Sequence, residues 1–290
     1  MTENTCSQLV HATSVDEAIT LLTREGPFSL PVAGATWIMR APTRREETDR
    51  LFVSLGQIDA LKKIEINYNQ ISIGSLVTHD TLSKLEVGGH DLDCLRQAAL
   101  KSANPAIRNA ATIGGNICSY EFAAADLVPA LLSLDAQVEV QGQNGITLLE
   151  IGDFLQSRET KPNDQIVTKI LIKRSDRISA HARLLIRQAG DYPVVTVSCS
   201  LSISDDGRIR APRIAVGSVE SVARRWLALE DLISGQSLAD LDIKKSSSSF
   251  TSDFNGRNGS DATGQYRLKV LPKVAAQALE KIQMTQKGAM

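Results

Sequence analysis

Residues 104–117 have the sequence Asn-Pro-Ala-Ile-Arg-Asn-Ala-Ala-Thr-Ile-Gly-Gly-Asn-Ile. Asn104 and Pro105 open this stretch with a turn signal, so residues 104–109 are predicted to form a loop. Two adjacent glycines, Gly114 and Gly115, then interrupt an apolar run, and glycines in such a run usually mark a bulge or a bend. The stretch therefore predicts a loop followed by a backbone bend.

Three short polar side chains follow this bend in an otherwise apolar sequence: Asn116, Ser119 and Asp126. From Asp126 onward, residues 126–134 carry an apolar pattern that predicts a helix. Polar groups held in an apolar wall are typical of a site that orients a sugar–phosphate ligand. Two interpretations therefore stand for this region, a purely structural bend and a ligand-binding segment.

Another glycine-containing loop lies nearer the N-terminus, where residues 32–37 have the sequence Val-Ala-Gly-Ala-Thr-Trp directly after a predicted strand at residues 30–32. Successive backbone amides in such a turn converge and form an anion-binding concavity. Gly34 suits a close approach of backbone and ligand, and Thr36 adds a hydroxyl donor. The alternative is an ordinary turn that ends a strand.

The N-terminal region outside these loops predicts a small β–α–β unit. Ser14 and Glu17 form a capping-box pattern at the start of a predicted helix over residues 15–25. Gly26 and Pro27 end that helix. Predicted strands at residues 30–32 and 51–55 complete the unit.

The remaining sequence mixes helices and strands without regular alternation, which predicts an α+β fold. Predicted elements are hairpins within residues 64–73 and 138–148, helices at 78–85 and 92–99, and an antiparallel meander of strands 194–204 and 213–219. Residues 246–262 are rich in Ser, Gly and Asn and predict a mobile loop. A closing helix over about residues 268–282 is predicted to be kinked or interrupted at Pro272.

Composition excludes several classes of function. A length of 290 residues predicts about two domains. The net charge of −1 argues against binding to nucleic acid or to an acidic membrane, and no run is long and apolar enough to predict membrane insertion. The N-terminus lacks the pattern of a signal peptide. The cysteines are Cys6, Cys94, Cys118 and Cys199, and their spacing does not match that of metal ligands. The sequence therefore predicts no metal on this chain. It predicts a reducing, cytoplasmic location.

The sequence has no Rossmann or P-loop glycine motif, yet several of its segments together resemble one family. That family is the FAD-binding (medium) subunit of molybdenum hydroxylases, which includes the medium subunit of carbon monoxide dehydrogenase and the flavin domain of xanthine dehydrogenase. The matching segments occur in the family's order and cover nearly the whole chain: residues 32–37, 73–80, 104–117 with 125–132, 190–192, and 207–217 with 266–267.

The resemblance implies the domain organisation. Residues 1–176 would form an FAD-binding domain of the PCMH/vanillyl-alcohol-oxidase-like type, with subdomains of about 1–56 and 57–176. Residues 177–290 would form a domain like the C-terminal domain of the carbon monoxide dehydrogenase flavoprotein, with a three-stranded antiparallel sheet and helices.

The resemblance also implies which residues bind FAD. Backbone amides of the first loop would cradle the pyrophosphate, and Asp126 would accept a hydroxyl of the ribityl chain or ribose, because a carboxylate repels a phosphate. Ile113 matches a position near the flavin ring, Tyr192 an aromatic residue over the isoalloxazine, and Arg183 and Arg187 basic positions of the family. The full implied set is Ala33, Gly34, Ala35, Thr36, Trp37, Thr78, Thr112, Ile113, Gly115, Asn116, Ser119, Asp126, Arg183, Arg187 and Tyr192, with no catalytic side chain and no metal ligand.

Two departures from the family pattern stand out. The first loop is usually A-G-G-T-D, whereas here Ala35 replaces the second glycine and Trp37 replaces the aspartate. An alanine restricts the φ angle at that position while still offering its amide. The second segment carries one extra residue before Asp126, and Tyr120-Glu121-Phe122 replaces a stretch of small residues.

The function implied by the resemblance is that of an electron-transfer subunit. Molybdopterin and [2Fe-2S] clusters would lie on a large subunit and an iron–sulfur subunit, assembled as a dimer of heterotrimers. The FAD-carrying chain would pass electrons to NAD, oxygen or a quinone. Two alternatives remain: a stand-alone FAD-dependent NAD(P)H oxidoreductase, and a structural subunit that has lost FAD.

Overall fold

The computed structural model describes residues 7–46, 49–160, 164–186 and 192–289. Its strands are β1 (Gln8–His11), β2 (Ser29–Val32), β3 (Leu51–Ser54), β4 (Ile64–Ile66), β5 (Gln70–Gly74), β6 (Gln137–Gly142), β7 (Gly145–Glu150), β8 (Ile166–Lys173), β9 (Ile178–Leu184), β10 (Val195–Ile203), β11 (Ile209–Gly217) and β12 (Arg224–Arg225). Its α-helices are α1 (Val15–Glu25), α2 (Ala41–Arg44), α3 (His79–Ser83), α4 (Asp93–Lys101), α5 (Pro105–Ala110), α6 (Ile113–Cys118), α7 (Leu127–Ser133), α8 (Ile151–Ser157), α9 (Leu227–Ile233), α10 (Ile243–Ser248) and α11 (Gly264–Ala289). This mixture confirms the predicted α+β class.

The chain divides into two compact units, each assembled from three separate segments. Unit 1 comprises residues 1–79, 105–119 and 137–172. Unit 2 comprises residues 80–104, 120–136 and 173–290.

Unit 1 begins with the predicted β–α–β arrangement, which is confirmed. A three-stranded parallel sheet has the order β1-β3-β2, and β1 is a strand that the sequence analysis did not identify. Helix α1 has the predicted bounds and buries Ala18, Ile19 and Leu22, which pack with Val53 of β3. This sheet and helix support the loop that leaves β2.

The predicted capping box of α1 is only half formed. The hydroxyl of Ser14 accepts a hydrogen bond from the Glu17 amide at 3.1 Å, as predicted. The carboxylate of Glu17, however, accepts from the backbone amide of Thr13 at 2.8 Å and from its hydroxyl at 2.7 Å. Thr13 offers two donors to one carboxylate oxygen, so the side chain of Glu17 reaches one residue beyond the N-cap.

The second sheet of unit 1 has five strands in the order β4-β5-β8-β6-β7. Both predicted hairpins are present as the antiparallel pairs β4–β5 and β6–β7. Strand β8, which was not predicted, lies between them and pairs antiparallel with β6.

Unit 2 is built on a four-stranded antiparallel sheet in the order β12-β11-β10-β9. It contains the predicted three-stranded sheet, to which the two-residue strand β12 is added. Apolar residues of β10, such as Val197 and Leu201, belong to the same core cluster as Leu271 and Val274 of α11. The predicted helices at residues 92–99 and 126–134 are present in this unit as α4 and α7.

The structure corrects four local predictions. Most of the predicted loop at residues 104–109 belongs to helix α5 (Pro105–Ala110), and the glycine pair lies in the first turn of α6 rather than in a bulge. Residues 246–262 are not a loop without anchors: α10 extends into them, and Phe254 is 3% exposed. Helix α11 is not interrupted, because it continues through Pro272, and the alternative of a kink at Pro272 stays a prediction. Burial of Leu271, Val274 and other apolar side chains, each worth about 1.5–3 kcal/mol, outweighs the roughly 3 kcal/mol that an internal proline costs.

Candidate functional site

The loop that follows β2 lies in unit 1 against the end of helix α5. A Cβ atom added at Gly34 would lie 1.7 Å from the carbonyl oxygen of Ala110 and 3.3 Å from the Cα atom of Ala111. Such a distance is far inside van der Waals contact, so only glycine permits this approach. The first predicted site loop and the start of the second predicted segment are thus in direct backbone contact.

Ala35 adopts a left-handed conformation, with a φ angle of 58°. The family pattern places glycine here, and the structure shows why: the turn requires a positive φ, which an alanine adopts at a cost of roughly 1–2 kcal/mol. Among the residues that the structure describes, no acceptor is found for the backbone amides of Gly34, Ala35 or Thr36. A left-handed residue flanked by unused amides is the arrangement that binds anions.

The strain at Ala35 leads to a test of backbone conformation. We expect Ala35→Gly to change the free energy of unfolding by less than about 1 kcal/mol, because relief of strain is offset by the greater entropy of glycine in the unfolded chain. We expect Ala35→Val to destabilise the protein by about 1–3 kcal/mol, because a β-branched residue fits poorly at positive φ. Chemical denaturation measures both, and equal effects of the two substitutions would contradict the left-handed conformation.

Trp37, the last residue of this loop, is half-buried and packs beneath Arg44. The guanidinium carbon of Arg44 lies 3.9 Å from the centroid of the indole ring. Its Nη1 atom also donates to the carbonyl oxygen of Trp37 at 3.0 Å. Arg44 is not among the site residues predicted from the sequence, because no local pattern links it to Trp37.

The second predicted segment is held by the residues that follow β5. The Ile113 amide donates to the Val77 carbonyl oxygen and the Gly114 amide to the Ser75 carbonyl oxygen, both at 2.9 Å. Thr78 also pairs with Thr112 in an isolated β-bridge. The Thr112 hydroxyl caps α6 by accepting from the Gly115 amide at 3.1 Å. The first amides of α6 are therefore already bonded within the protein, so this segment offers side chains to a ligand rather than a backbone cradle.

The predicted residues of α6 differ in their exposure. Gly115, Asn116 and Ser119 are partly exposed, and the Ser119 hydroxyl donates to the Gly115 carbonyl at 2.8 Å. Ile113 is completely buried, so its side chain is covered by protein atoms.

His79 is a site-building residue that sequence reasoning did not place in the site. Its backbone amide donates to the carbonyl oxygen of Ala111 at 2.9 Å, and its side chain bonds to the backbone of Thr112. Burial lowers the pKa of the imidazole to about 4, with the Thr112 bond opposing the shift, so the ring is neutral at physiological pH. The only sequence signal was its place in the segment 73–80.

Unit 2 contains three other predicted residues, beginning with the pair Asp126 and Arg183. Both side chains are almost fully buried, and Oδ1 of Asp126 lies 3.4 Å from Nε of Arg183 without forming a hydrogen bond. Burial raises the pKa of the Asp126 carboxyl to about 7, and the nearby guanidinium of Arg183 opposes this rise. A buried carboxylate oxygen without a hydrogen-bond donor is suited to a ligand hydroxyl.

Tyr192 is the third of these residues. Its ring packs edge-on against Phe122, with centroids 5.0 Å apart and planes at 66°. Phe122 belongs to the Tyr120–Phe122 departure from the family pattern, so this aromatic pair depends on that departure. The predicted residue Arg187 lies outside the described residues.

The predicted site residues thus fall into two groups. Unit 1 holds Ala33, Gly34, Ala35, Thr36, Trp37, Thr78, Thr112, Ile113, Gly115, Asn116 and Ser119, whereas Asp126, Arg183 and Tyr192 belong to unit 2. Within the described ranges, no group of three or more His, Cys, Asp or Glu residues is arranged to hold a metal ion. None of the described helices combines the length and apolar character of a membrane span.

Comparison with known proteins assigns both halves of the sequence. Residues 5–173 match the FAD binding domain in molybdopterin dehydrogenase, and residues 180–282 match the CO dehydrogenase flavoprotein C-terminal domain. The chain is 26% identical over 275 residues to the 6-hydroxypseudooxynicotine dehydrogenase complex subunit alpha of Paenarthrobacter nicotinovorans, covering 94% of this chain and 93% of that protein. It is 24% identical over 277 residues to the glyceraldehyde dehydrogenase medium chain of Sulfolobus acidocaldarius, covering 94% and 97%.

The fold agrees with these matches. A solved structure of reconstituted CO dehydrogenase from Oligotropha carboxidovorans superposes with a TM-score of 0.88 at 22% identity, covering 96% of this chain and 98% of that one. The expected two-part fold is therefore confirmed. The chain belongs to the family of FAD-binding medium subunits of molybdenum hydroxylases, oxidoreductases that include carbon monoxide dehydrogenase and xanthine dehydrogenase.

Proposed function

We propose that this chain is the electron-transfer subunit of a multi-subunit molybdenum hydroxylase. It takes electrons from an iron–sulfur subunit, and it passes them to a terminal acceptor such as NAD, oxygen or a quinone. Bound FAD supplies the capacity to receive electrons singly and deliver them in pairs. The observation that carries the proposal is the set of unused amides at Gly34, Ala35 and Thr36, which fits a pyrophosphate.

The residues divide the work of binding. The amides after β2 hold the pyrophosphate. The ionised carboxylate of Asp126 accepts a hydrogen bond from a ribityl or ribose hydroxyl, because its buried oxygen has no hydrogen-bond donor within the described part of the chain. Asn116 and Ser119 line the second segment, and Thr78 and Thr112 fix it. Tyr192 limits access to the flavin ring, and we assign Arg183 and Arg187 to the cofactor as the family's basic residues. No side chain of this chain needs to act as a general acid or base.

We also propose the domain boundaries: residues 1–176 form the FAD-binding domain, and residues 177–290 form the C-terminal domain. The partners are an iron–sulfur subunit and a molybdopterin-binding large subunit, assembled as a dimer of heterotrimers. Two relatives are known as a complex subunit and a medium chain, which supports such an assembly. A cytoplasmic location is part of the same proposal, and none of the three described cysteines is in a disulfide bond.

Purification of the tagged chain from its native host tests this proposal. We expect it to co-purify with two further chains, molybdenum, iron and about one FAD per copy of this chain. A chain that purifies alone and oxidises NADH or NADPH through its own flavin would instead indicate a stand-alone oxidoreductase. An assembled complex without any flavin would indicate a structural subunit.

A further inference from the structure

The loop after β2 carries a contact at Trp37, one of the two positions where the loop departs from the family pattern. Arg44 ends the short helix α2 and folds back over Trp37, with its guanidinium against the indole and its Nη1 bonded to the Trp37 carbonyl. Glu46 fixes the other side of the guanidinium, where its Oε2 atom accepts from Nη2 at 2.6 Å. We define Trp37, Arg44 and Glu46 as the clasp.

The clasp begins at Trp37, two residues after Ala35, whose backbone conformation is strained. Ala35 has a positive φ, a conformation that alanine keeps only when its surroundings impose it. The carbonyl oxygen of Ala35 is bonded to the Met39 amide at 2.9 Å, and that of Trp37 to the Arg40 amide at 3.1 Å. Arg44 adds a second bond to the Trp37 carbonyl and covers the ring, so it restrains the segment that follows Ala35.

We propose that Arg44 is a positioning residue, which acts through Trp37 to hold Ala35 in the left-handed conformation and thereby keeps the amides of residues 34–36 aimed at a diphosphate. This inference rests on the proposed function, because it takes the diphosphate of FAD as the ligand. It also accounts for the paired departures of this sequence: alanine at position 35 needs a restraint that glycine does not, and tryptophan at position 37 provides the surface for it.

Direct attraction between Arg44 and the phosphates is a different role, and the geometry disfavours it. The guanidinium is paired with the Glu46 carboxylate, so the net charge of the clasp is close to zero. Attraction by an exposed charge weakens strongly at high salt, whereas a conformational restraint does not.

A double-substitution cycle tests the proposal in the assembled, deflavinated complex. Arg44→Met keeps much of the side-chain length and removes the guanidinium. We expect it to raise the dissociation constant for FAD about tenfold when residue 35 is alanine, because the left-handed state then loses roughly 1–2 kcal/mol of support. In the Ala35→Gly background we expect less than a threefold rise, because glycine populates positive φ readily.

The outcomes separate the possibilities. Binding is followed by quenching of flavin fluorescence at low salt and at about 0.5 M salt, and circular dichroism confirms that each variant is folded. Equal losses in the two backgrounds, or a loss that vanishes at high salt, would overturn the positioning role. Failure of the unsubstituted complex to bind FAD would instead refute the proposed function itself.

Discussion

Replacement of Gly34 by alanine is expected to reduce FAD affinity at least a hundredfold. The added methyl group would lie 1.7 Å from the Ala110 carbonyl oxygen. This oxygen belongs to the backbone, so it cannot move away by a change of rotamer. The loop must therefore withdraw from α5 by more than an ångström, and the amides of Gly34, Ala35 and Thr36 would no longer converge. Each lost bond to a charged phosphate costs about 1.5–3 kcal/mol, so loss of two amounts to a hundredfold or more.

The same substitution is expected to lower the free energy of unfolding by about 1–3 kcal/mol, as in other overpacked sites. Gly152→Ala is the matched control, because a Cβ atom there has no neighbour within 4 Å and the residue lies in helix α8 of the same unit. We expect it to leave FAD affinity unchanged. Isothermal titration with FAD measures both variants, and normal affinity in Gly34→Ala would contradict the cradle.

The second large effect concerns Asp126 and pH. Because burial raises the pKa of its carboxyl to about 7, well above the unfolded value of 3.8, the folded protein without FAD binds an extra proton between about pH 4 and pH 7. Its free energy of unfolding therefore falls as pH rises through this range. Asp126→Asn resembles the protonated acid, so we expect this variant to lose that pH dependence and to be the more stable protein at pH 8.

FAD binding should respond in the opposite sense. A ligand hydroxyl donates more strongly to a carboxylate than to a carboxylic acid, so affinity should increase as pH rises through about 7. At pH 8 we expect Asp126→Asn to bind FAD about tenfold more weakly than the unsubstituted protein, with the difference shrinking below pH 6.

Asp205→Asn provides the matched control for this experiment, because it makes the same change of charge at an exposed turn of unit 2. It should leave both pH profiles unchanged. Titration of FAD and thermal unfolding between pH 5 and pH 9, carried out on the same preparations, give both profiles. A pH-independent affinity in the unsubstituted protein would exclude Asp126 as the hydroxyl acceptor.

Local signals in the sequence predicted the parts of the fold that depend on local physics. Ser14 and Gly26 mark the ends of α1 correctly, because capping depends on residues close in sequence. The resemblance to the family likewise singled out the loop after β2, whose contact with FAD stays a prediction. Helices α5 and α6 were missed because six-residue helices carry too short a pattern to recognise, and Gly114 is explained by packing against Ser75 rather than by a bend.

The contacts that build the site were beyond the reach of sequence patterns. Asp126 meets Arg183, and His79 meets Thr112, through pairings that join distant segments. The need for glycine at position 35 was anticipated from the family, but its replacement by a restrained alanine became intelligible only when Arg44 was seen over Trp37. A contact such as that of Arg44 with Trp37 produces no periodic or local pattern by which a single sequence could reveal it.

The loop after β2 is proposed to cradle the diphosphate of FAD in this chain. The most direct test of this proposal is the absorption spectrum of the assembled complex, with the released cofactor identified by mass and counted per copy of this chain, in the unsubstituted protein and in Gly34→Ala. We expect about one FAD per copy in the former and almost none in the latter. A complex without FAD, or one in which Gly34→Ala retains full occupancy, would contradict the proposal.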